Sequence, residues 1–133
     1  DAEPSTVVLS SKLAEELALP RGGYVLVRGK MGRSMVCVVS VNDGLDSGKI
    51  GLSGTELENL KVGLGGNITL APTGGLARAR TVIVHPLAET VEGVTEDLLA
   101  TYLGPYFQGI PPVTVGSTFL LRRGRRPVEF AIV

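Results

Sequence analysis

A chain of 133 residues with 44% apolar and 20% charged positions buries one core, or two small ones packed together, and is too short for a multidomain enzyme. Thirteen basic residues balance thirteen acidic ones, so no global field draws it to nucleic acid or to an anionic membrane. Its apolar stretches are short and are cut by Gly, Pro or charge, which excludes membrane insertion as a helical span and a secretory h-region. The only cysteine, Cys37, lies in the apolar run Val36-Cys37-Val38-Val39. No internal disulfide forms, a reducing compartment fits, and the residue reads as a small buried hydrophobe. The chain starts at Asp1 and stops on the apolar run Phe130-Ala131-Ile132-Val133, which has the look of a piece cut from something longer.

From the N-terminus onward, residues 6–27 align without gaps on residues 49–70, at an offset of 43. Leu9/Leu52, Ser10/Ser53, Glu15/Glu58, Leu17/Leu60, Gly22/Gly65 and Gly23/Gly66 are identical, and Val7/Ile50, Leu19/Val62 and Val25/Ile68 keep their apolar character. Each copy reads as a short strand, a Ser N-cap, one or two helical turns, a Gly-Gly turn and an alternating strand. The glycines allow the positive φ of a tight turn. Two such units, each with an apolar face that it cannot bury alone, are expected to close around a pseudo-twofold axis into a small barrel.

The strands Tyr24 to Arg28 and Met35 to Val41 are joined by the polar hairpin Gly29-Lys30-Met31-Gly32-Arg33. A break in pattern over residues 72–80 marks a boundary. Beyond it, a strand is expected from Arg80 to His85, an amphipathic helix from Thr95 to Leu103, and strands from Val113 to Leu121 and from Pro127 to Val133. The second part reads as a smaller barrel carrying one helix.

Catalytic signatures are missing. Gly23 to Gly29-Lys30-Met31 has five intervening residues and no hydroxyl, so it is no Walker A loop. His85 is the lone histidine and, with one cysteine, gives no zinc cluster. Glu89, Glu92, Glu96 and Asp97 read as solvated turn and helix-start carboxylates rather than an acid–base pair. Asn42-Asp43-Gly44-Leu45-Asp46 lacks the ligand ladder of a calcium loop. Arg122-Arg123-Gly124-Arg125-Arg126 is a basic hairpin without flanking aromatics to stack bases. A nucleic-acid-binding β-barrel module built on this hairpin is the alternative reading, and an anionic protein surface fits it better.

The second half carries the most specific text. Val84-His85-Pro86-Leu87, Glu89-Thr90-Val91-Glu92-Gly93-Val94-Thr95, Tyr102-Leu103-Gly104-Pro105-Tyr106-Phe107 and Arg126-Pro127-Val128-Glu129-Phe130 follow one another in fixed spacing. Arg21-Gly22, Gly29-Lys30, Val36 to Val39, Gly48-Lys49-Ile50 and Leu64-Gly65 precede them. On these residues the chain resembles, over nearly its whole length and without gaps, the amino-terminal domain of the valosin-containing-protein class of AAA ATPases, as a diverged member. The resemblance implies a mainly β fold with short helices (α+β). Residues 1–74 would form a double-psi β-barrel and residues 75–133 a four-stranded β-barrel.

It also implies a function. Such domains recruit UBX-like domains and short linear motifs in a groove between the lobes, and through these adaptors deliver ubiquitylated proteins to a hexameric unfolding motor. Degradation linked to the proteasome and the endoplasmic reticulum follows from that role. The isolated domain would be a monomer of the cytoplasm, extending to the nucleus and the cytosolic face of the endoplasmic reticulum. It would hold no cofactor, since ATP and Mg belong to the ATPase domains of the parent. Carried over position by position, the groove is Thr6, Pro20, Arg21, Gly23, Val38, Ser40, Arg78, Gly109 and Ile110, with a second peptide site at Leu87 and Leu99. Where the class has an aromatic, an acid, a leucine and two tyrosines, this chain has Pro20, Gly23, Ser40, Arg78 and Ile110. Arg21 and Val38 keep the expected character. A diverged adaptor set is expected, with weak binding of ordinary UBX domains.

Overall fold

The computed structural model describes residues 4–73, 76–122 and 126–133. They are mainly β with a few short helices, and the chain divides into two compact units, Ser5–Leu76 and Ala77–Val133, Pro4 grouping with the latter.

In the first unit, strands β1 (Thr6–Leu9), β2 (Tyr24–Arg28), β3 (Ser34–Val41) and β4 (Thr69–Ala71) form one sheet in the order β1-β3-β2-β4. β1 runs parallel to β3, and the other pairs are antiparallel. Period-2 alternation sends Val7, Leu9, Val25, Val27, Met35, Cys37 and Val39 into an aliphatic core, where Ala14, Leu60 and Val62 join them. Helices α1 (Ser11–Glu16) and α2 (Gly54–Leu60) begin where the serines foretell: Ser10 Oγ accepts from Leu13 N at 3.2 Å and Ser53 Oγ from Glu56 N at 3.4 Å.

The repeat is repeated in geometry as well as in text. Ala18 and Lys61, 43 positions apart, both take left-handed φ, +56° and +57°. The hydrogen bonds Leu19 N to Ala14 O (2.8 Å) and Val62 N to Leu57 O (3.0 Å) close the two helices alike. The β2–β4 ladder maps onto itself under the offset, with Val27 opposite Leu70 at its centre. So does the reciprocal bridge between Val8 and Gly51, both of whose bonds are 2.9 Å. These pairs lie on a local pseudo-twofold.

Burial is complete at Cys37, and it pushes the thiol up to about 12, with a smaller contribution from Glu56. The folded protein is therefore expected to be inert to a thiol-reactive dye at neutral pH and to react only when denatured. The raised value favours the protonated thiol, so its linked stability is intact below the ordinary thiol range near 9 and falls as pH rises from there toward 12. A Cys37→Ala variant should lose that alkaline slope in denaturant titrations.

In the second unit, β5 (Val84–Pro86), β6 (Thr118–Leu121) and β7 (Val128–Ile132) form an antiparallel sheet in the order β5-β7-β6. Helix α3 (Ala88–Val91), a π-helix (Leu98–Leu103) and α4 (Gly104–Gln108) complete it. Three strands pair among the described residues where four were expected. The expected strand at residues 80–85 is regular from Val84, which pairs with Ile132 of β7, and Val133 N donates to Ile83 O at 2.9 Å. Of the expected strand from Val113, the regular part begins at Thr118: a turn at Gly116 (φ +88°), closed by Ser117 Oγ on Thr114 O, precedes it, while Gly116 N donates to Ile132 O and Ser117 O accepts from Ile132 N, both at 2.9 Å. The predicted helix ends in a wider winding: Pro105 has no amide to donate, and Gly104 N instead reaches Leu99 O five residues back.

This core is aromatic. Phe119 stacks on Tyr106 (4.7 Å) and on Phe130 (5.5 Å), while Tyr102 tilts against Phe130 (6.2 Å). Tyr102, fully buried, donates its hydroxyl to Arg126 O at 2.9 Å, and burial raises its pKa. No helix among the described residues is long and apolar enough to cross a membrane.

Candidate functional site

Six of the nine groove positions lie in the first unit and three in the second. In the first unit the sheet register brings most of them together. Thr6 and Val38 are cross-strand partners, as are Val8 and Ser40, and Tyr24 faces Val38 from the other side. Residues in register share a face, so Thr6, Val38 and Tyr24 form a row across β1, β3 and β2. Their neighbours along the strands are the buried Val7, Cys37, Val39 and Val25, which places the row on the outer face. Gly23 O accepts from Val39 N at 2.8 Å, which sets the start of β2 beside this row. A Cβ at Gly23 would lie 3.0 Å from Pro20 O, so the turn leaves little room for the acid that the resemblance expects there.

Pro20 and Arg21 line a different feature, a shallow concavity of about 430 Å³ shared with Ser11, Ala14, Glu15, Ala18, Leu19 and Val41. Val41 follows Ser40 on β3 and alternation turns the two to opposite faces, so Pro20 and Arg21 open beside the row rather than within it. An acid does stand near Arg21. Asp43 Oδ1 accepts from Ser11 Oγ (2.6 Å) and Ser11 N (2.9 Å), and these bonds, in that order, hold its carboxyl below the usual range, with a smaller pull from Arg21.

In the second unit, Arg78 is exposed on the irregular segment before β5. Gly109 and Ile110 follow α4, with Ile110 N bonded to Phe107 O at 3.1 Å. Ile110 is 65% exposed and has φ +50°, a conformation that a β-branched residue adopts only under strain. Ile110→Asn is expected to raise stability by about 1 kcal/mol in a denaturant titration, because Asn tolerates that backbone. Leu87 is half-buried between β5 and α3, and Leu99 is 69% exposed on the π-helix. Neither belongs to the apolar core of the unit.

The basic hairpin falls largely on residues 123–125, outside the described residues. Arg122 and Arg126 are exposed, and a Cβ at Gly93 would lie 3.6 Å from the Arg126 guanidinium. No group of three or more His, Cys, Asp or Glu able to hold a metal ion occurs among the described residues.

Sequence reading missed Tyr24. The signal was there: it is the only aromatic residue in the first unit, and the alternation that buries Val25 and Val27 turns it outward, 41% exposed. A scan against models of known protein families finds no match for the chain.

Proposed function

We propose that this chain is the recruiting amino-terminal domain of a hexameric AAA ATPase of the valosin-containing-protein class, working by binding and not by catalysis. The observation that carries this reading is the row Tyr24, Val38 and Thr6. The first unit has an entirely aliphatic core and keeps its one aromatic at the surface, in register with two of the groove positions. An aromatic anchor burying about 150 Å² contributes roughly 4 kcal/mol, enough to decide whether a micromolar site exists. In this reading the first unit is a double-psi barrel closed about the Val27–Leu70 pseudo-twofold, and Tyr24 stands in for the tyrosines that the groove lacks. The adaptors are then a diverged set of UBX-like domains or linear motifs that bring ubiquitylated clients to the motor in the cytoplasm.

Calorimetric titration tests it. An ordinary UBX domain should bind weakly, a matched adaptor with micromolar affinity, and Tyr24→Ser or Val38→Asp should each weaken the latter at least about tenfold. Tight binding of an ordinary UBX domain would remove the divergence. Adaptor binding indifferent to both substitutions would remove the site.

A further inference from the structure

At the end of β2 and β3 away from Tyr24, the hairpin turn 29–33 lies on the C-terminal end of α2. Lys30 N donates to Leu60 O at 2.9 Å and Arg33 Nε to Asn59 O at 3.1 Å. These bonds bring residues 28–33 and 58–64 to one surface. The two segments hold four cations, Arg28, Lys30, Arg33 and Lys61, against a single carboxylate, Glu58, in a chain whose net charge is zero.

The same two segments carry the two most exposed large apolar side chains among the described residues, Leu64 at 94% and Met31 at 85%. Neither is explained by local structure. Met31 and Gly32, at φ +57° and +72°, are the central residues of the turn that Arg33 N closes on Lys30 O, a geometry for which Asn-Gly is the low-energy choice. Leu64 sits in a turn closed by Gly66 N on Gly63 O at 3.0 Å, where a polar residue would be better solvated. Solubility and turn geometry both argue against these two side chains, and both belong to the segments that the Lys30–Leu60 and Arg33–Asn59 bonds join.

We infer that this end of the first unit docks an acidic peptide segment carrying aliphatic side chains, at a surface separate from the Tyr24–Val38 row. The carboxylates of such a segment pair with Arg28, Lys30 and Lys61, and its aliphatic groups cover Met31 and Leu64. Nucleic acid would use the cations but leave Met31 and Leu64 in water, and the unit's one aromatic, Tyr24, stands at the other end of β2, where it stacks no base. An anionic bilayer would meet the exposed carboxylate of Glu58 with like charge, whereas a peptide can pair it with a backbone amide.

The test uses the whole chain and a fluorescein-labelled peptide of Asp and Glu interrupted by two leucines, with a copy in which serine replaces both leucines. At physiological salt, fluorescence anisotropy should show the leucine peptide bound about tenfold more tightly than the serine peptide. The double variant Met31→Asn with Leu64→Ser should erase that difference while its unfolding midpoint stays level or rises. Lys30→Gln with Lys61→Asn should weaken both peptides. The inference is overturned if neither peptide binds, if the wild-type chain binds both alike, or if the Met31/Leu64 variant keeps the difference. It is also overturned if phosphatidylserine vesicles or single-stranded DNA bind more tightly than the leucine peptide.

Discussion

Phe130→Ala is expected to destabilise the second unit by about 3–5 kcal/mol, the largest effect of any single substitution considered for this chain. Phe130 is fully buried on the central strand β7, stacked on Phe119 and tilted against Tyr102. Truncation removes the common neighbour of both rings and leaves a cavity that short strands on either side cannot collapse into. A unit of this size has a small margin of stability, of the order of 5–10 kcal/mol, so the loss takes most of it. Near-ultraviolet circular dichroism gives a direct readout, because Tyr102 and Tyr106 are held in this core while Tyr24 is at the surface. The tyrosine band should collapse in Phe130→Ala and survive in Phe130→Leu, which keeps most of the volume and should cost about 1–2 kcal/mol.

Gly29→Ala is expected to cost the first unit about 3 kcal/mol. A Cβ at Gly29 would meet the carbonyl oxygen of Leu60 head-on and lie 2.6 Å from the Leu60 Cβ. Leu60 is fully buried and its carbonyl accepts from Lys30 N, so neither the side chain nor the backbone can step aside without breaking the hairpin from α2. Gly32 is the control. Nothing lies within 4 Å of its Cβ position and its φ is +72°, so Gly32→Ala should cost only the left-handed backbone penalty, about 1–2 kcal/mol. Chemical denaturation of the two variants should separate them in that order, and equal costs would mean that the hairpin does not rest on α2 as described.

The first unit was largely legible in the sequence because its signals are local. Ser10 and Ser53 cap helices, Gly22 and Gly65 turn with positive φ, and alternation from Tyr24 to Val41 marks two strands. Each of these is decided by one or two residues. The left-handed Ala18 and Lys61 were not legible, since neither residue type advertises that conformation and only the packing of the following apolar residue imposes it. In the second unit the strand limits depended on partners far away in sequence. Val84 begins β5 in register with Ile132 of β7, and no pattern around residue 80 reports that pairing. The π-helix ends on the bond from Gly104 N to Leu99 O, next to Pro105, which has no amide to donate, and no periodicity in the sequence reports that winding. At the candidate site, Val38 and Thr6 were named from resemblance and Tyr24 was passed over, although alternation alone turns it to the same face.

Recruitment through the Tyr24–Val38 face is tested most directly by affinity capture from the protein's own cell lysate, comparing the wild-type chain with Tyr24→Ser and Val38→Asp variants of equal stability. The wild-type chain should retain adaptor proteins together with ubiquitylated material, and both variants should lose them in parallel. Recovery of the same proteins by all three chains, or capture that never includes ubiquitylated material, would contradict the account.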